Sequence, residues 1–118
     1  MFIKALKAKI HRATVTETRL DYPGSIAVDT DLLEAAGISP YEAVLVANVT
    51  NGARAETYIV EAPAGSGDVV LLGAAARMFN PKDIIIILNF AFFAPQEIAK
   101  LKPKVVVCDE NNKVKQIL

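Results

Sequence analysis

The sequence is poor in the residue types from which conventional active sites are most often built. Its 118 residues contain one histidine, His11, one cysteine, Cys108, and no tryptophan. A single cysteine excludes an intramolecular disulfide, and one histidine with one cysteine is too few for a zinc site of the usual kind. Glycine patterns of the P-loop and Rossmann types are absent too, so the sequence carries no standard phosphate-binding motif.

Charge of a single sign and long hydrophobic runs are also lacking. Thirteen basic residues balance thirteen acidic ones without forming a basic run, so we expect no nucleic-acid partner. The longest apolar stretch, residues 84–98, is interrupted by Asn89 and Pro95 and is shorter than the roughly 20 residues that cross a bilayer. Residues 1–9 lack the apolar segment of a signal peptide. We therefore expect a cytoplasmic protein without membrane contact.

Apolar residues in short segments are what the sequence has in abundance, and they make up 53% of the chain. Turn signals separate these segments at short intervals, which is typical of a mainly β barrel or sandwich. No linker or repeat divides the chain, so we predict one domain over residues 1–118. Cys108 lies within an apolar run, which favours a small buried side chain over a reactive thiol.

Local patterns predict many strands and a few short helices. Apolar and polar residues alternate over residues 2–17, and a slip at Arg12 indicates a β-bulge. Asn51-Gly52 predicts a hairpin with a type I′ turn. Residues 30–37 predict a short helix that is capped by its first Thr or Asp. The continuous apolar strands are expected to be buried on both faces. Further strands are predicted at residues 26–28, 43–48, 54–61, 69–72, 83–88 and 104–108, and further helical turns at residues 73–77 and 95–99.

Several polar, glycine and alanine residues scattered along the chain are candidates for a site. Considered singly, each has an ordinary structural explanation, such as a solvated charge on a strand, a half-buried tyrosine or a turn. The individual residues therefore do not define a reaction. The candidates are Lys9, His11, Tyr22, Gly24, Ser25, Arg54, Thr57, Tyr58, Gly73, Ala74 and Ala75.

In their order and spacing, these candidates resemble the pyruvoyl-dependent aspartate 1-decarboxylase family. Any one of the motifs is weak evidence, but together they are in register over essentially the whole chain. The matching stretches are Lys7-Ala-Lys-Ile-His-Arg12, Tyr22-Pro-Gly-Ser25, Asp31-Leu-Leu-Glu-Ala-Ala-Gly-Ile38, Asn48-Val-Thr-Asn-Gly-Ala-Arg54, Thr57-Tyr58 and Gly73-Ala-Ala-Ala-Arg77.

The resemblance implies a fold, an activity and a maturation step. The fold is a mainly β, double-psi β-barrel with a few short helices, assembled as a homotetramer with active sites between subunits. The activity is decarboxylation of L-aspartate to β-alanine and carbon dioxide for pantothenate and coenzyme A synthesis. The proenzyme cleaves itself between Gly24 and Ser25 into residues 1–24 and 25–118. Ser25 becomes a covalent pyruvoyl cofactor that forms a Schiff base with substrate, without metal or pyridoxal phosphate.

The resemblance also assigns roles to the candidate residues. Gly24 provides the scissile carbonyl, which a hydroxyl donor must polarise as its oxygen gains charge, and the family gives this task to Thr57. Tyr58 is the proton donor for the decarboxylated carbon. Two cations suit a diacid, because Arg54 can hold one carboxylate bidentately while Lys9 offers a point charge to the other. Substrate contacts are further implied for Thr57, Gly73, Ala74 and Ala75, and supporting roles for His11 and Tyr22.

Strand periodicity limits how one chain can present these groups. Arg54 and Tyr58 are four residues apart and share a face of their strand, whereas Thr57 points to the other. A bulge or a neighbouring subunit is therefore needed to bring all three to one pocket.

The sequence departs from the family pattern at three positions and leaves alternatives open. Leu72 stands where many members have Asn, Ala47 where some have a large aromatic, and Pro23 is not universal. A decarboxylase for another acidic amino acid, such as glutamate, and an inactive β-barrel assembly module both remain compatible with the sequence. Spontaneous maturation and maturation with the help of an accessory protein are both compatible with the sequence.

Overall fold

The structure, a computed structural model, describes residues 1–118, of which about half lie in β-strands. The prediction of a mainly β chain with a few short helices is confirmed. The strands are β1 (Ile3–Thr14), β2 (Glu17–Arg19), β3 (Ser25–Asp29), β4 (Ala43–Asn48), β5 (Arg54–Ala62), β6 (Val69–Leu72), β7 (Ile84–Phe93), β8 (Lys104–Cys108) and β9 (Val114–Ile117). The helical segments are α1 (Thr30–Ala36), a 3₁₀ helix (Ala74–Met78) and α2 (Pro95–Ile98).

The nine strands form one sheet that closes into a barrel-like shape. Its order is β2-β6-β3-β5-β4-β7-β1-β8-β9, so β1 and β2 occupy distant places although only two residues separate them along the chain. The first of these, Val15, donates its N–H to the Asp83 carbonyl beside β7, and the second, Thr16, donates to the Val69 carbonyl of β6, both at 2.9 Å. The chain itself thus joins the two sides of the sheet, as a barrel requires.

Alternate positions on the strands fill the interior of the barrel. On β7, Ile85 and Ile87 are fully buried, whereas Ile84, Ile86 and Leu88 are only half-buried. β8 follows the same alternation, and only β6 is buried at every position. The expectation of burial on both faces is therefore correct for β6 and wrong for β7 and β8, because no second layer of the chain covers their outer faces.

β1 bends at two β-bulges. Its pairing with β7 shifts between His11 and Ala13, and Arg12 between them has a φ of +63°. The bulge that the slip at Arg12 predicted is thus confirmed. A second shift, between Leu6 and Ala8, left no slip in the alternation and was not predicted. Bulges increase strand twist, which helps this 12-residue strand to follow the curvature of the barrel.

The β4–β5 hairpin is confirmed, but its turn is not of type I′. The strands pair along residues 43–47 and 54–58, which leaves a longer loop than the two residues that this turn type connects. Gly52 has a φ of +78°, but Asn51 is not in the left-handed region, and type I′ requires both. The Asn51 side chain instead accepts the Ala53 N–H at 2.8 Å. A side-chain acceptor has replaced part of the expected backbone turn.

The N-cap of helix α1 lies one residue before the first of the two predicted cap positions. The N-cap is Asp29, whose carboxylate accepts the N–H of Asp31 at 2.8 Å, so the choice of Thr30 or Asp31 was wrong. Gly37 ends the helix with a φ of +69°, which confirms the predicted stop. An acidic side chain does accept a free N–H of the first turn, as the capping rule requires. Which residue caps the helix depended on which carboxylate the fold places beside the N-terminus of the helix.

Asp29 also anchors the glycine-containing loop before β6. Its buried carboxylate accepts the N–H groups of Gly65 at 3.0 Å and Gly67 at 2.8 Å, in addition to that of Asp31. The Lys113 ammonium lies 4.0 Å away. Burial alone would favour the neutral acid, but the hydrogen bonds, with a smaller contribution from Lys113, outweigh it and lower the pKa of Asp29 below its ordinary value.

We expect Asp29→Asn to lower the free energy of unfolding by about 1–3 kcal/mol at pH 7, because an amide cannot accept all three buried N–H groups. The pKa of Asp29 is lower in the folded than in the unfolded state, so its contribution is complete above the ordinary carboxyl pKa of about 3.9. It is lost as the pH falls through the lower folded value. Urea unfolding at pH 7 and in acid, at one protein concentration, measures both effects.

The matched control is Asp31→Asn, because Asp31 is exposed and the loop N–H groups donate to Asp29 instead. We expect this variant to unfold at nearly the wild-type urea concentration. An Asp29→Asn chain as stable as Asp31→Asn at pH 7 would contradict the assigned role.

Candidate active site

The bond between Gly24 and Ser25 lies where an exposed turn enters the wall of the barrel. Ser25 is the first residue of β3 and is 3% exposed, whereas Gly24 before it is exposed. Ser25 pairs with Leu72 of β6 on one side. On the other side, the next residue of β3 pairs in parallel with β5. The serine is therefore paired with β6, and the residue after it with β5, while the residue before it is not part of the sheet.

Gly73 lies directly against the backbone of Gly24. It has a φ of +82° and a ψ of −154°, a conformation that is essentially restricted to glycine. A Cβ atom at this position would lie 2.6 Å from the Gly24 Cα and 2.9 Å from the Tyr22 carbonyl oxygen. The Gly73 N–H donates to the Arg19 carbonyl at 2.8 Å. The absence of a side chain at Gly73 thus allows the turn before Ser25 to pack against the end of β6.

Ala74 and Ala75 begin the helical turn that the sequence predicts after this glycine. The turn is a five-residue 3₁₀ helix with Gly73 as its N-cap. Ala74 is exposed and Ala75 is half-buried, so a ligand beside Gly24 meets only methyl groups and backbone here. A helix this short has little dipole, so any anion would be bound by individual N–H groups.

β5 carries Arg54, Thr57 and Tyr58 with the alternation that the sequence predicted. Arg54 and Tyr58 are exposed, whereas Thr57 is half-buried and pairs with the buried Val44. The three side chains therefore do not share one face. Thr57 borders an outer groove of about 250 Å³ between β4, β5 and β7.

Tyr58 is the β5 residue that lies opposite Ser25 when the β3–β5 register is extended by one residue. Ile26 pairs in parallel with Ile59, and both isoleucines are fully buried. The residues just before them, Ser25 and Tyr58, therefore occupy neighbouring positions on the opposite face of the sheet. Tyr58 is 39% exposed, so its phenol can be reached from solvent.

One aromatic neighbour of Tyr58 was not among the sequence candidates. The rings of Tyr41 and Tyr58 have centroids 6.4 Å apart and planes inclined by 35°. Tyr41 has a φ of +72°, in a turn before β4 that looks like an ordinary Pro-Tyr loop in sequence. Because the contact depends on the pairing of β4 with β5, no local pattern could have found it.

Lys9 and His11 lie elsewhere on the chain. Both are half-buried on β1, where Lys9 pairs with residues of β7 and β8. Three strands, β7, β4 and β5, separate β1 from β3 in the sheet, which corresponds to about 19 Å along the sheet at ordinary strand spacing. Neither Lys9 nor His11 therefore lies on a strand that neighbours Ser25 in the sheet order.

The imidazole of His11 is biased towards its neutral form. Partial burial, followed by the positive charges of Lys9 and Arg12, lowers the pKa of His11 below its ordinary value. At neutral pH, His11 is therefore an uncharged hydrogen-bonding group beside the charged Lys9.

Tyr22 and Leu72 both lie close to the Gly24–Ser25 bond. Tyr22 is 51% exposed, and its carbonyl oxygen is the atom that faces Gly73. Leu72 is 6% exposed and stands directly opposite Ser25 across the β3–β6 pair. Cross-strand partners share a face, so an apolar side chain stands beside the serine.

Three further features concern possible cofactors and the thiol. No three His, Cys, Asp or Glu side chains form a group that could hold a metal ion, and no helix is long and apolar enough to cross a membrane. Cys108 is 7% exposed, which confirms the predicted buried side chain. Burial, followed by the nearby Asp109, raises the pKa of Cys108 to about 11.

The fold and the site define a small, mainly β barrel whose candidate site is a turn-to-strand junction formed by a glycine and a buried serine. The profile of the aspartate decarboxylase family matches residues 1–115. This chain belongs to the aspartate decarboxylase family, as its sequence motifs predicted.

Individual relatives match the chain over nearly its whole length. A protein from Pelotomaculum thermopropionicum named aspartate 1-decarboxylase is 50% identical, over 99% of this chain and 89% of its own length. Proteins of the same name from Acetivibrio thermocellus and Neisseria meningitidis are each 52% identical. They cover 97% and 100% of this chain, and 90% and 93% of their own lengths.

Proposed function

We propose that this chain decarboxylates L-aspartate to β-alanine and carbon dioxide, within pantothenate synthesis, after cleaving its own backbone between Gly24 and Ser25. Family membership over nearly the whole chain supports the activity. The observation that carries the cleavage is the position of the bond, with an exposed Gly24 held against Gly73 and a buried Ser25 held in the sheet. Cleavage yields residues 1–24 and 25–118.

The first step is attack by the Ser25 hydroxyl on the Gly24 carbonyl carbon. The peptide C–N bond breaks, which leaves an ester and a free amino group on Ser25. Elimination of the Gly24 carboxylate, followed by hydrolysis with loss of ammonia, then gives a ketone at position 25. A serine hydroxyl is a weak nucleophile and needs exact placement. The close contact of Gly24 with Gly73, the pairing of Ser25 with Leu72 and the pairing of the next residue, Ile26, with Ile59 support that placement.

Charge develops on the Gly24 carbonyl oxygen during this attack, and we assign its stabilisation to the Thr57 hydroxyl. A donor aimed at a developing oxyanion contributes strongly to such reactions. Thr57 lies on the side of β5 opposite to Tyr58, the residue beside Ser25 in the strand register. We therefore propose that a neighbouring subunit supplies this hydroxyl.

The residues around position 25 fit a pyruvoyl group. Its precursor, Ser25, begins a strand and is almost fully buried, and only small side chains, those of Ala74 and Ala75, follow Gly73. When present, the pyruvoyl group supplies a carbonyl that accepts electron density as carbon dioxide leaves. The part of this chain is to exclude water, to orient the substrate and to deliver a proton.

Arg54 and Lys9 bind the two carboxylates of aspartate in this proposal. Arg54 shares the exposed face of β5 with Tyr58, four residues away, or about 13 Å along the strand, and we propose that its long side chain extends toward Ser25. Lys9 of the same chain lies beyond three strands. We propose that Lys9 comes from another copy, in a homotetramer with active sites between subunits.

Tyr58 delivers the proton to the carbon that has lost carbon dioxide. Its position beside Ser25 in the strand register and its exposure support the role of a weak acid at the mouth of the site. A positioned general acid contributes about 10²–10⁴ in rate. Backbone N–H groups at residues 73–75 complete the contacts to substrate, while His11 and Tyr22 support the pocket and the cleavage turn.

Intact mass spectrometry and an assay for β-alanine test the whole proposal. We expect two fragments, with the larger one carrying a pyruvoyl group in place of Ser25, and release of β-alanine from L-aspartate. Faster turnover of L-glutamate than of L-aspartate would favour the alternative decarboxylase. A chain that remains whole after prolonged warm incubation, with and without cell extract, would favour an inactive barrel.

Three expectations stay predictions: the effect of Leu72 on cleavage, the need for a maturation factor, and the cytoplasmic location. An apolar Leu72 opposite Ser25 removes an amide that could orient the cleavage site, so we propose slow processing. Incubation with and without cell extract separates spontaneous cleavage from assisted cleavage.

We expect Arg54→Ala to cleave normally but to raise the KM for aspartate by about tenfold or more, because a charge-assisted bidentate contact is worth roughly 1.5–3 kcal/mol. Intact mass after incubation reports cleavage, and initial rates at increasing aspartate concentration report KM. The control is Arg77→Ala, an exposed arginine beyond the 3₁₀ start, which should leave both unchanged. Wild-type KM in Arg54→Ala would exclude a carboxylate contact.

Mixed assemblies extend this test to Lys9. Lys9→Ala and Arg54→Ala chains, denatured and reassembled together, should regain activity in about a quarter of the sites if each site combines Lys9 of one chain with Arg54 of another. No recovery is expected if both residues must come from one chain. The two variants assembled separately serve as controls.

A further inference from the structure

Tyr41 is held in a backbone conformation that large side chains rarely adopt. Its φ of +72° lies in the left-handed region, which is unfavourable for a bulky residue. The side chain is 78% exposed, so burial within the chain does not account for a tyrosine here. Backbone strain of this kind persists only where the surrounding structure holds it, and it concentrates at functional sites.

Two backbone hydrogen bonds fasten this residue to the strand that carries Tyr58. The Tyr41 N–H donates to the Ile59 carbonyl at 2.8 Å, and the Ile59 N–H donates to the Glu42 carbonyl at 3.1 Å. Ile59 is the residue directly after Tyr58. The turn is thus attached to β5 beside the phenol that we assign as proton donor.

The Glu42 side chain anchors the same turn to the rest of the barrel. Its carboxylate accepts the Ser39 N–H at 2.6 Å and the Lys7 ammonium at 2.7 Å, and the Asn89 amide donates to it at 3.4 Å. Burial opposes ionisation, but the hydrogen bonds from Lys7 and Ser39 outweigh it and lower the pKa of Glu42. The turn is therefore tied to β1 and β7 as well as to β5.

The result of this anchoring is the contact between two rings. The centroids of Tyr41 and Tyr58 are 6.4 Å apart, within the range of favourable aromatic pairs. Tyr58 is 39% exposed, and a side chain with that much freedom would populate several rotamers without such a neighbour. A fixed ring on one side removes some of them.

We propose that Tyr41 is a positioning residue whose ring, held by the strained Ser39–Glu42 turn, fixes the rotamer of Tyr58. This inference rests on the proposed function, in which Tyr58 protonates the decarboxylated carbon. Tyr41 acts through Tyr58 and need not touch substrate. Its ring is required and its hydroxyl is not.

Tyr41→Gly separates positioning from stability. Glycine accepts the left-handed φ without strain, so the melting temperature should stay the same or rise. Turnover should nevertheless fall by about tenfold with KM within about twofold, because a misplaced acid loses part of its effect. Tyr41→Phe should restore kcat. The matched control is Lys82→Gly, which relaxes another exposed residue of positive φ, at +78°, outside the site.

Nuclear magnetic resonance of chains with ¹³C-labelled tyrosine rings gives a readout besides activity. The protein has three tyrosines, so Tyr41→Gly deletes one set of signals and should shift and broaden those of Tyr58. Tyr22 signals should not change. Lys82→Gly should leave all three sets in place.

The outcomes distinguish this inference from the proposed function. An active wild type whose Tyr41→Gly variant keeps full kcat and unaltered Tyr58 signals would defeat the inference alone. So would a kcat in Tyr41→Phe as low as in Tyr41→Gly, or an equal loss in Lys82→Gly. A wild type that does not decarboxylate aspartate would defeat the proposed function and, with it, the inference.

Discussion

A Ser25→Ala chain is expected to remain a single polypeptide of 118 residues and to release no β-alanine from aspartate. The substitution removes the hydroxyl that attacks the Gly24 carbonyl and that carries the acyl group in the ester, so neither the ester nor the ketone can form at position 25. Alanine keeps the Cβ atom of Ser25, which is almost completely buried at the start of β3, so we expect the packing to stay intact. Intact mass and the β-alanine assay measure the two losses.

Ser66→Ala is the matched control, because Ser66 is an exposed residue in the loop before β6 and is remote from Gly24 in sequence. This variant should cleave and turn over aspartate like the wild type. A fragment of residues 1–24 from the Ser25→Ala chain would show that another nucleophile cuts the bond, and the assignment of Ser25 would then be wrong.

Gly73→Ala is expected to block cleavage and to destabilise the fold. Its backbone conformation alone costs about 1–3 kcal/mol for a residue with a Cβ. The added atom would lie 2.6 Å from the Gly24 Cα and 2.9 Å from the Gly24 nitrogen, so the backbone on one side must move. A shift of about 1 Å at the scissile bond is enough to slow cleavage by roughly 10²-fold. Time courses of intact mass and thermal unfolding report the two effects.

Gly52→Ala separates strain from contact. Gly52 also has a positive φ, at +78°, but no atom lies within 4 Å of the position of an added Cβ. We therefore expect this variant to lose about 1 kcal/mol of stability and to cleave at the wild-type rate. Equal cleavage rates in Gly73→Ala and Gly52→Ala would contradict the proposed role of the Gly73 contact.

Sequence reasoning predicted the elements of the fold well wherever a single local pattern dominated. The slip at Arg12 became a β-bulge, Gly37 ended the first helix, and the alternation on β5 separated Thr57 from Arg54 and Tyr58. These features depend on the φ preference of one residue or on the two-residue period of a strand, and neighbouring residues suffice to specify them.

Predictions were wrong where two local hydrogen-bonding arrangements of similar energy compete. Asp29 caps the helix that Thr30 or Asp31 could also have capped, and the Asn51 side chain replaced the type I′ turn that Asn-Gly favours. In each case a side-chain acceptor decided between alternatives of similar energy, and its position depends on the rest of the fold.

The sequence by itself determined the mainly β class, the family and the identity of the candidate residues, because these follow from strand periodicity and from the order of motifs along the chain. Only the tertiary structure decided which candidates meet. It placed Gly73 against Gly24 and Tyr41 against Tyr58, and it left Lys9 three strands away from Ser25. Such contacts depend on strand order and on barrel closure, which join residues far apart in sequence, and no local pattern encodes them.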